Sequence, residues 1–108
     1  GASVLVLGIT FKENCPDVRN TKVIDVISHL KTYGMHLTIY DPWANPSEVE
    51  SEYHLKTTQE APKDTFDAIV LTVAHKEFIK MDLKPLMKKT TVVYDVKGVL
   101  GTKADAKL

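Results

Sequence analysis

One cysteine, Cys15, is all that the 108 residues contain, so no disulfide can close within the chain. That scarcity fits a reducing compartment, and the expectation is a cytoplasmic protein. Charge of one sign is lacking as well: 14 Lys and Arg stand against 14 Asp and Glu. Such a balance points to neither nucleic acid nor an anionic membrane as partner, and any anion site has to be a local cluster of basic side chains. No apolar run approaches the roughly 20 residues that cross a bilayer. A secretion signal is not expected either, because the N-terminal apolar stretch Val4-Leu5-Val6-Leu7 is short and has no basic flank. Glycine is missing where a dinucleotide turn would need it. G-x-G-x-x-G asks for three glycines after a strand, and here only Gly8 is present. Phe11 is too bulky for the close backbone approach to a pyrophosphate that the second glycine permits.

What is present suffices for one core. Hydrophobic residues make up 44% of the chain, and the length fits one small domain, 1–108. Gly1 stands in place of Met and a strand begins almost at once, which leads us to expect a piece of a longer protein. Val4-Leu5-Val6-Leu7 reads as a buried parallel strand. A long loop over 9–20 follows, then a helix capped by Asn20 or Thr21, with Val23, Ile24, Ile27 and Leu30 on its apolar face and Gly34 as its stop. Residues 36–40 form the next strand, ended by Asp41-Pro42. A short polar helix capped by Asn45 or Ser47 runs to about Tyr53. Residues 54–57 are expected as a short edge strand and 59–64 as a weak helix or loop. A third strand covers 68–73. Helical pieces cover 76–80 and 82–88, split near Met81. A fourth strand covers 91–94, and Val99-Leu100 is expected to extend the sheet. Strands alternating with helices imply an α/β fold, a three-layer α/β/α Rossmann-like domain with a mainly parallel sheet of about five strands. Ligands in such sheets sit beyond the carboxyl ends of the strands, which singles out the loops 9–20, 41–45, 74–77 and 95–98.

Several side chains in those loops can carry chemistry. Lys12 and Arg19 can contact phosphate oxygens, Lys as a point charge and Arg as a fork, with Asp17 orienting Arg19. The competing reading is a solvated loop whose ion pair is worth under about 1 kcal/mol. Asp41 can imitate a ribose-binding acid, but the missing glycines favour a side-chain bond to the backbone of its own turn. His75 can reach a ribose or base, or simply cap the turn that follows. Trp43 can stack on a base or pack against another domain. His29, His36 and His54 have no metal-ligand spacing, so no metal site is expected.

The stretch Gly8-Ile9-Thr10-Phe11-Lys12-Glu13-Asn14-Cys15-Pro16-Asp17-Val18-Arg19-Asn20-Thr21 resembles the UDP-glucose/GDP-mannose dehydrogenase family. So do Tyr40-Asp41-Pro42, Ala74-His75-Lys76-Glu77-Phe78 and Asp95-Val96-Lys97-Gly98, in that order. The likeness covers essentially the whole chain and is nearest to the branch that oxidises UDP-N-acetylhexosamines to uronic acids for surface polysaccharides. The resemblance implies the C-terminal, UDP-sugar-binding domain of an NAD-dependent 6-dehydrogenase. In this family NAD is bound mainly by an N-terminal domain, a central region dimerises, and the parent is a homo-oligomer. It also implies that Phe11, Lys12 and Lys97 contact the UDP-sugar, with Lys at 97 lacking the planar fork of Arg. Arg19 would reach toward NAD, with Asp17 beside it. The family's catalytic cysteine precedes this segment, so Cys15 is expected to be a packed loop residue and the chain by itself inactive. The alternative class is a non-catalytic nucleotide-binding or assembly module. A receiver-like module would want acidic residues after its first strand, where Gly8-Ile9-Thr10 stand.

Overall fold

The computed structural model describes residues 1–19, 21–98, 100 and the backbone of 106–107. The sheet is parallel throughout, in the order β2-β1-β3-β4-β5. Its strands are β1 (Ser3–Leu7), β2 (His36–Tyr40), β3 (Phe66–Leu71), β4 (Met87–Asp95) and the two-residue β5 (Ala106–Lys107). The connecting helices are α1 (Val23–Thr32), α2 (Pro46–Tyr53) and α3 (Lys76–Lys80). Four full strands and one short one meet the expected sheet.

Alternation along β1 explains its central place. Val4 and Val6 face a core shared with Val23 and Ile27 of α1 and Val49 of α2. Leu5 and Leu7 face the opposite core, with Phe78 of α3 and with Leu83 and Leu86. A strand apolar on both faces can only sit inside a covered parallel sheet. Helices therefore lie on both sides, and the three layers follow. Because β1 pairs with β2 on one edge and β3 on the other, strand order reverses at β1, and a crevice opens at its carboxyl end.

The helix ends follow local chemistry. Thr21 Oγ1 accepts the Val23 N–H, while Asn20, the other expected cap, lies outside the described residues. Gly34, at φ 71°, takes the left-handed position that ends α1. Asn45 rather than Ser47 caps α2 by accepting the Ser47 N–H. No helix of the described residues is long and apolar enough to cross a membrane.

Three expectations need correction. Residues 54–57 form no strand: His54 turns at φ 57° to end α2, and Leu55 drops into the core. The chain meets β2 one residue later, at the single bridge Tyr40 to Thr58. The helical piece at 82–88 shrinks to a 3-10 turn, Lys84–Leu86, because Met87 already pairs with Phe66 as the start of β4. That early start is polar and outward, so the apolar signal at 91–94 showed only the buried half of the strand. The extension at Val99-Leu100 is not seen at Leu100, and Val99 lies outside the described residues; the fifth strand forms further on.

Gly8 closes β1 at φ 103°, and a Cβ there would lie 2.5 Å from Val73 Cβ. Gly8→Ala is expected to cost about 3 kcal/mol in urea unfolding, from a positive φ combined with overpacking. Gly34→Ala, with open space around it, should cost only about 1 kcal/mol. Equal effects would show that the contact with Val73 does not constrain the turn.

Candidate functional site

The carboxyl ends of the strands are joined by one fully buried carboxylate. Asp41, the residue after β2, accepts Ile9 N–H at 2.7 Å and Thr10 N–H at 3.2 Å through Oδ2. Its Oδ1 accepts Trp43 N–H at 2.8 Å and Ala44 N–H at 3.1 Å. His75 Nε2 stands 3.1 Å from the same Oδ2. The His75 tautomer follows from its other nitrogen: Nδ1 accepts the Asn14 N–H at 2.8 Å, so Nε2 carries the proton and donates. Thr10 Oγ1, 3.1 Å from Nε2, gives its own proton to the Lys12 carbonyl. Burial alone would raise the Asp41 carboxyl. The bonds from His75, Ile9 and Trp43 outweigh that and hold it below the usual carboxylate value.

The expected turn-shaping role of Asp41 is therefore met, and extended to the loops after β1 and β3. His75 does cap the turn that follows, through its carbonyl, which accepts the Phe78 N–H at the start of α3, but its ring has another task. It is fully buried, and its ring makes no cap to α3; it bolts the 9–20 loop to Asp41 instead. Trp43 stacks on His75 with ring centroids 5.9 Å apart, and its Nε1 donates to Glu77. These contacts turn the indole toward the protein's own loops.

Asp95 repeats the arrangement after β4. Its Oδ1 accepts the N–H groups of Lys97 and Gly98, and its Oδ2 that of Leu100. The loop carrying Lys97 is thereby folded back over the sheet end.

Between these loops and α1 lies a cleft of about 280 Å³. Phe11, more than half exposed, and Lys12 enter it from the β1 loop. Val96 and Lys97 enter from the β4 loop, Thr72 and Val73 form the floor, and Lys22, Val23 and Val26 form the α1 wall. Among the described residues no carboxylate lines it. Phe11, Lys12 and Lys97 are thus brought together.

Arg19 and Asp17 lie together outside this cleft. Arg19 Nε pairs with Asp17 Oδ1 at 3.2 Å, and Arg19 shares a separate groove with Ser47, Glu48, Ser51 and Glu52. The hydrogen bond that Arg19 donates to Asp17 first, then the charge of Asp17 and those of Glu48 and Glu52, keeps Arg19 firmly protonated. Cys15 is half-buried in the same loop. Among the described residues no cluster of three or more His, Cys, Asp or Glu could hold a metal ion.

Residues 5–102 match the profile of the UDP-glucose/GDP-mannose dehydrogenase family, UDP binding domain. The chain belongs to that family. It is 45% identical over 103 residues to the UDP-N-acetyl-D-glucosamine 6-dehydrogenase of Salmonella typhi, a match spanning 93% of this chain and 24% of that protein. Protein CapL of Staphylococcus aureus is 40% identical over 104 residues, spanning 94% of this chain and 24% of its own. The chain therefore covers about a quarter of the length of these relatives. Among solved structures, a UDP-glucose dehydrogenase from Pyrobaculum islandicum superposes with a TM-score of 0.76 at 23% identity, over 99% of this chain and 24% of that one. That likeness concerns the fold.

Family motifs drew attention to Phe11, Lys12 and Lys97. Lys22 was missed: it belongs to no motif, and only the packing of α1 against the sheet turns it to the cleft. Asp41→Asn is expected to destabilise the fold by about 3 kcal/mol, because an amide sets NH2 against backbone donors on one side. The sign of the pH effect follows from the lowered carboxyl value. Stabilisation by Asp41 is complete above the ordinary value of 3.8 and fades as pH falls below it. Asp67, held at about 2 by the Lys88 ammonium and Ser3, adds a second dependence of the same sign. Urea midpoints followed from pH 7 to pH 3 should fall less steeply in Asp41→Asn; identical slopes would mean that Asp41 is not ionised in the fold.

Proposed function

We propose that this chain holds the uridine diphosphate part of a sugar nucleotide in the cleft between α1 and the ends of β1, β3 and β4. It would do so as the C-terminal domain of a cytoplasmic NAD-dependent 6-dehydrogenase. That enzyme would oxidise a UDP-hexose or UDP-N-acetylhexosamine to the uronic acid for surface polysaccharide. The observation that carries this reading is the convergence of Lys12 and Lys97, from loops far apart in sequence, on one cleft that also exposes Phe11. Two ammonium groups suit a pyrophosphate, and an exposed ring beside them suits a pyrimidine or sugar face. The relatives' names, which include a UDP-N-acetyl-D-glucosamine 6-dehydrogenase, favour the same ligand class.

In this reading NAD is held mainly outside this chain, and two features support that. After Gly8 come Ile9 and Thr10, both fully buried, and then Phe11. Asp41, at the position of a ribose-binding acid, already accepts four backbone N–H groups and His75. In this reading the remaining domains of the parent homo-oligomer hold NAD and supply the nucleophile. Arg19, outside the sugar-nucleotide cleft, reaches toward the cofactor with Asp17 holding its guanidinium.

Calorimetric titration of the chain with UDP tests the proposal. Lys12→Ala and Lys97→Ala should each weaken binding by about 1–3 kcal/mol. The double variant should lose less than the sum, since both act on one ligand. The chain should form no NADH from NAD and UDP-N-acetylglucosamine above a protein-free control. Undiminished UDP binding in the double variant would overturn the site, and NADH formation would overturn the division of labour. In the parent enzyme, Arg19→Ala should raise KM for NAD more than KM for the UDP-sugar; the opposite pattern would move Arg19 to the substrate.

A further inference from the structure

Lys22 is a poor choice for its place in the fold. It opens α1 in helical conformation, at φ −77° and ψ −12°, and its side chain makes no cap bond. Thr21, one residue earlier, is the cap and accepts the Val23 N–H. A cation at the amino end of a ten-residue helix also opposes the positive end of the helix dipole. The helix dipole therefore disfavours lysine here, and breaches of local preference gather where function demands them.

The surroundings supply a reason. Lys22 is exposed and lines the same cleft as Lys12 and Lys97. Among the described residues none of the three takes part in an ion pair, and no Asp or Glu lines the cleft. The three come from separate elements: Lys12 from the β1 loop, Lys97 from the β4 loop and Lys22 from the start of α1. Three like charges gathered around one small cavity repel one another unless an anion lies between them.

We propose that Lys22 is a third ligand for the diphosphate and makes the cleft prefer a uridine diphosphate over the monophosphate. The proposal rests on the UDP reading above. Two phosphates present more non-bridging oxygens than two ammonium groups can cover, and a third cation approaching from α1 reaches the group that a monophosphate lacks.

The test is calorimetric titration of the chain with UDP, UMP and uridine, for the unaltered protein and for Lys22→Ala, Lys22→Arg and Lys84→Ala. Lys84 lies at the amino end of β4, away from the cleft, and controls for the loss of one positive charge. Lys22→Ala should weaken UDP binding roughly five- to tenfold, the range for an exposed charge-assisted hydrogen bond. UMP binding should fall less and uridine binding not at all. Lys22→Arg should return UDP affinity to within about twofold, and Lys84→Ala should change nothing. Thermal unfolding of Lys22→Ala should match the unaltered chain or lie slightly above it, because an unfavourable charge has been removed from the helix start. If the unaltered chain binds UDP and Lys22→Ala binds it equally well, the inference falls while the UDP site stands. An equal loss for UDP and uridine would also overturn it, since Lys22 would then act through its stem. If the unaltered chain binds no UDP, the functional reading fails and the inference fails with it.

Discussion

The carboxylate of Asp41 is the constraint on which the ligand end of this domain depends. It lies beyond β2, fully buried, and accepts backbone N–H groups from two different loops besides the His75 ring. Each of those donors would otherwise be buried without a partner, at a cost of about 1–3 kcal/mol apiece. The bonds also form a chain of position. Asp41 fixes Thr10, and the Thr10 hydroxyl donates to the carbonyl of Lys12. On the other side His75 fixes Asn14, whose side-chain oxygen accepts the N–H of Lys76. A loop with few apolar anchors is thus held to the sheet by polar groups that are almost all satisfied, which is the condition under which a buried network specifies one geometry.

The same device recurs one strand across. Asp95 ends β4 as Asp41 follows β2, and its two oxygens accept three N–H groups of the turn that carries Lys97. Short side chains ending in two acceptors fold the chain back locally, as Asp does in many turns. Placed at the ends of parallel strands, they aim the loops across the crevice instead of away from it. The cleft is therefore built on backbone geometry, and its lysines are free to reach into it.

Much of this was legible before any coordinates. Apolar runs located β1, β2 and β3 because those strands are buried on at least one face, and the cap of α2 and the glycine after α1 were legible from residue chemistry. Elements held by polar or long-range contacts were not. The outward start of β4 has Lys88, Lys89 and Thr90 exposed, and nothing in such a run announces a strand. β5 is two residues of backbone pairing with Tyr94 and Asp95. His54 reads as part of an extended run, yet its left-handed turn sends Leu55 into the core. In the site, Phe11, Lys12 and Lys97 stood out because they belong to ordered motifs. The partners of His75 lie 34 to 65 residues away in sequence, and no local pattern carries that information.

A neutral chain with a cationic cleft is a matter of where the acids went. The 14 acidic residues equal the 14 basic ones, so net charge gives no attraction for an anion at any distance. At the carboxyl end of the sheet, however, the two buried acids, Asp41 and Asp95, point inward at backbone donors, and Asp17 is engaged with Arg19 outside the cleft. The lysines around the cavity have no such partners among the described residues. Sorting acids to backbone and bases to the cavity creates a local positive potential without raising the charge of the protein. That potential is confined to within about 10 Å of the cleft at ordinary salt. A site of this kind would add little to long-range steering and act mainly by contact, beside an apolar wall of Val23, Val26, Val73 and Val96.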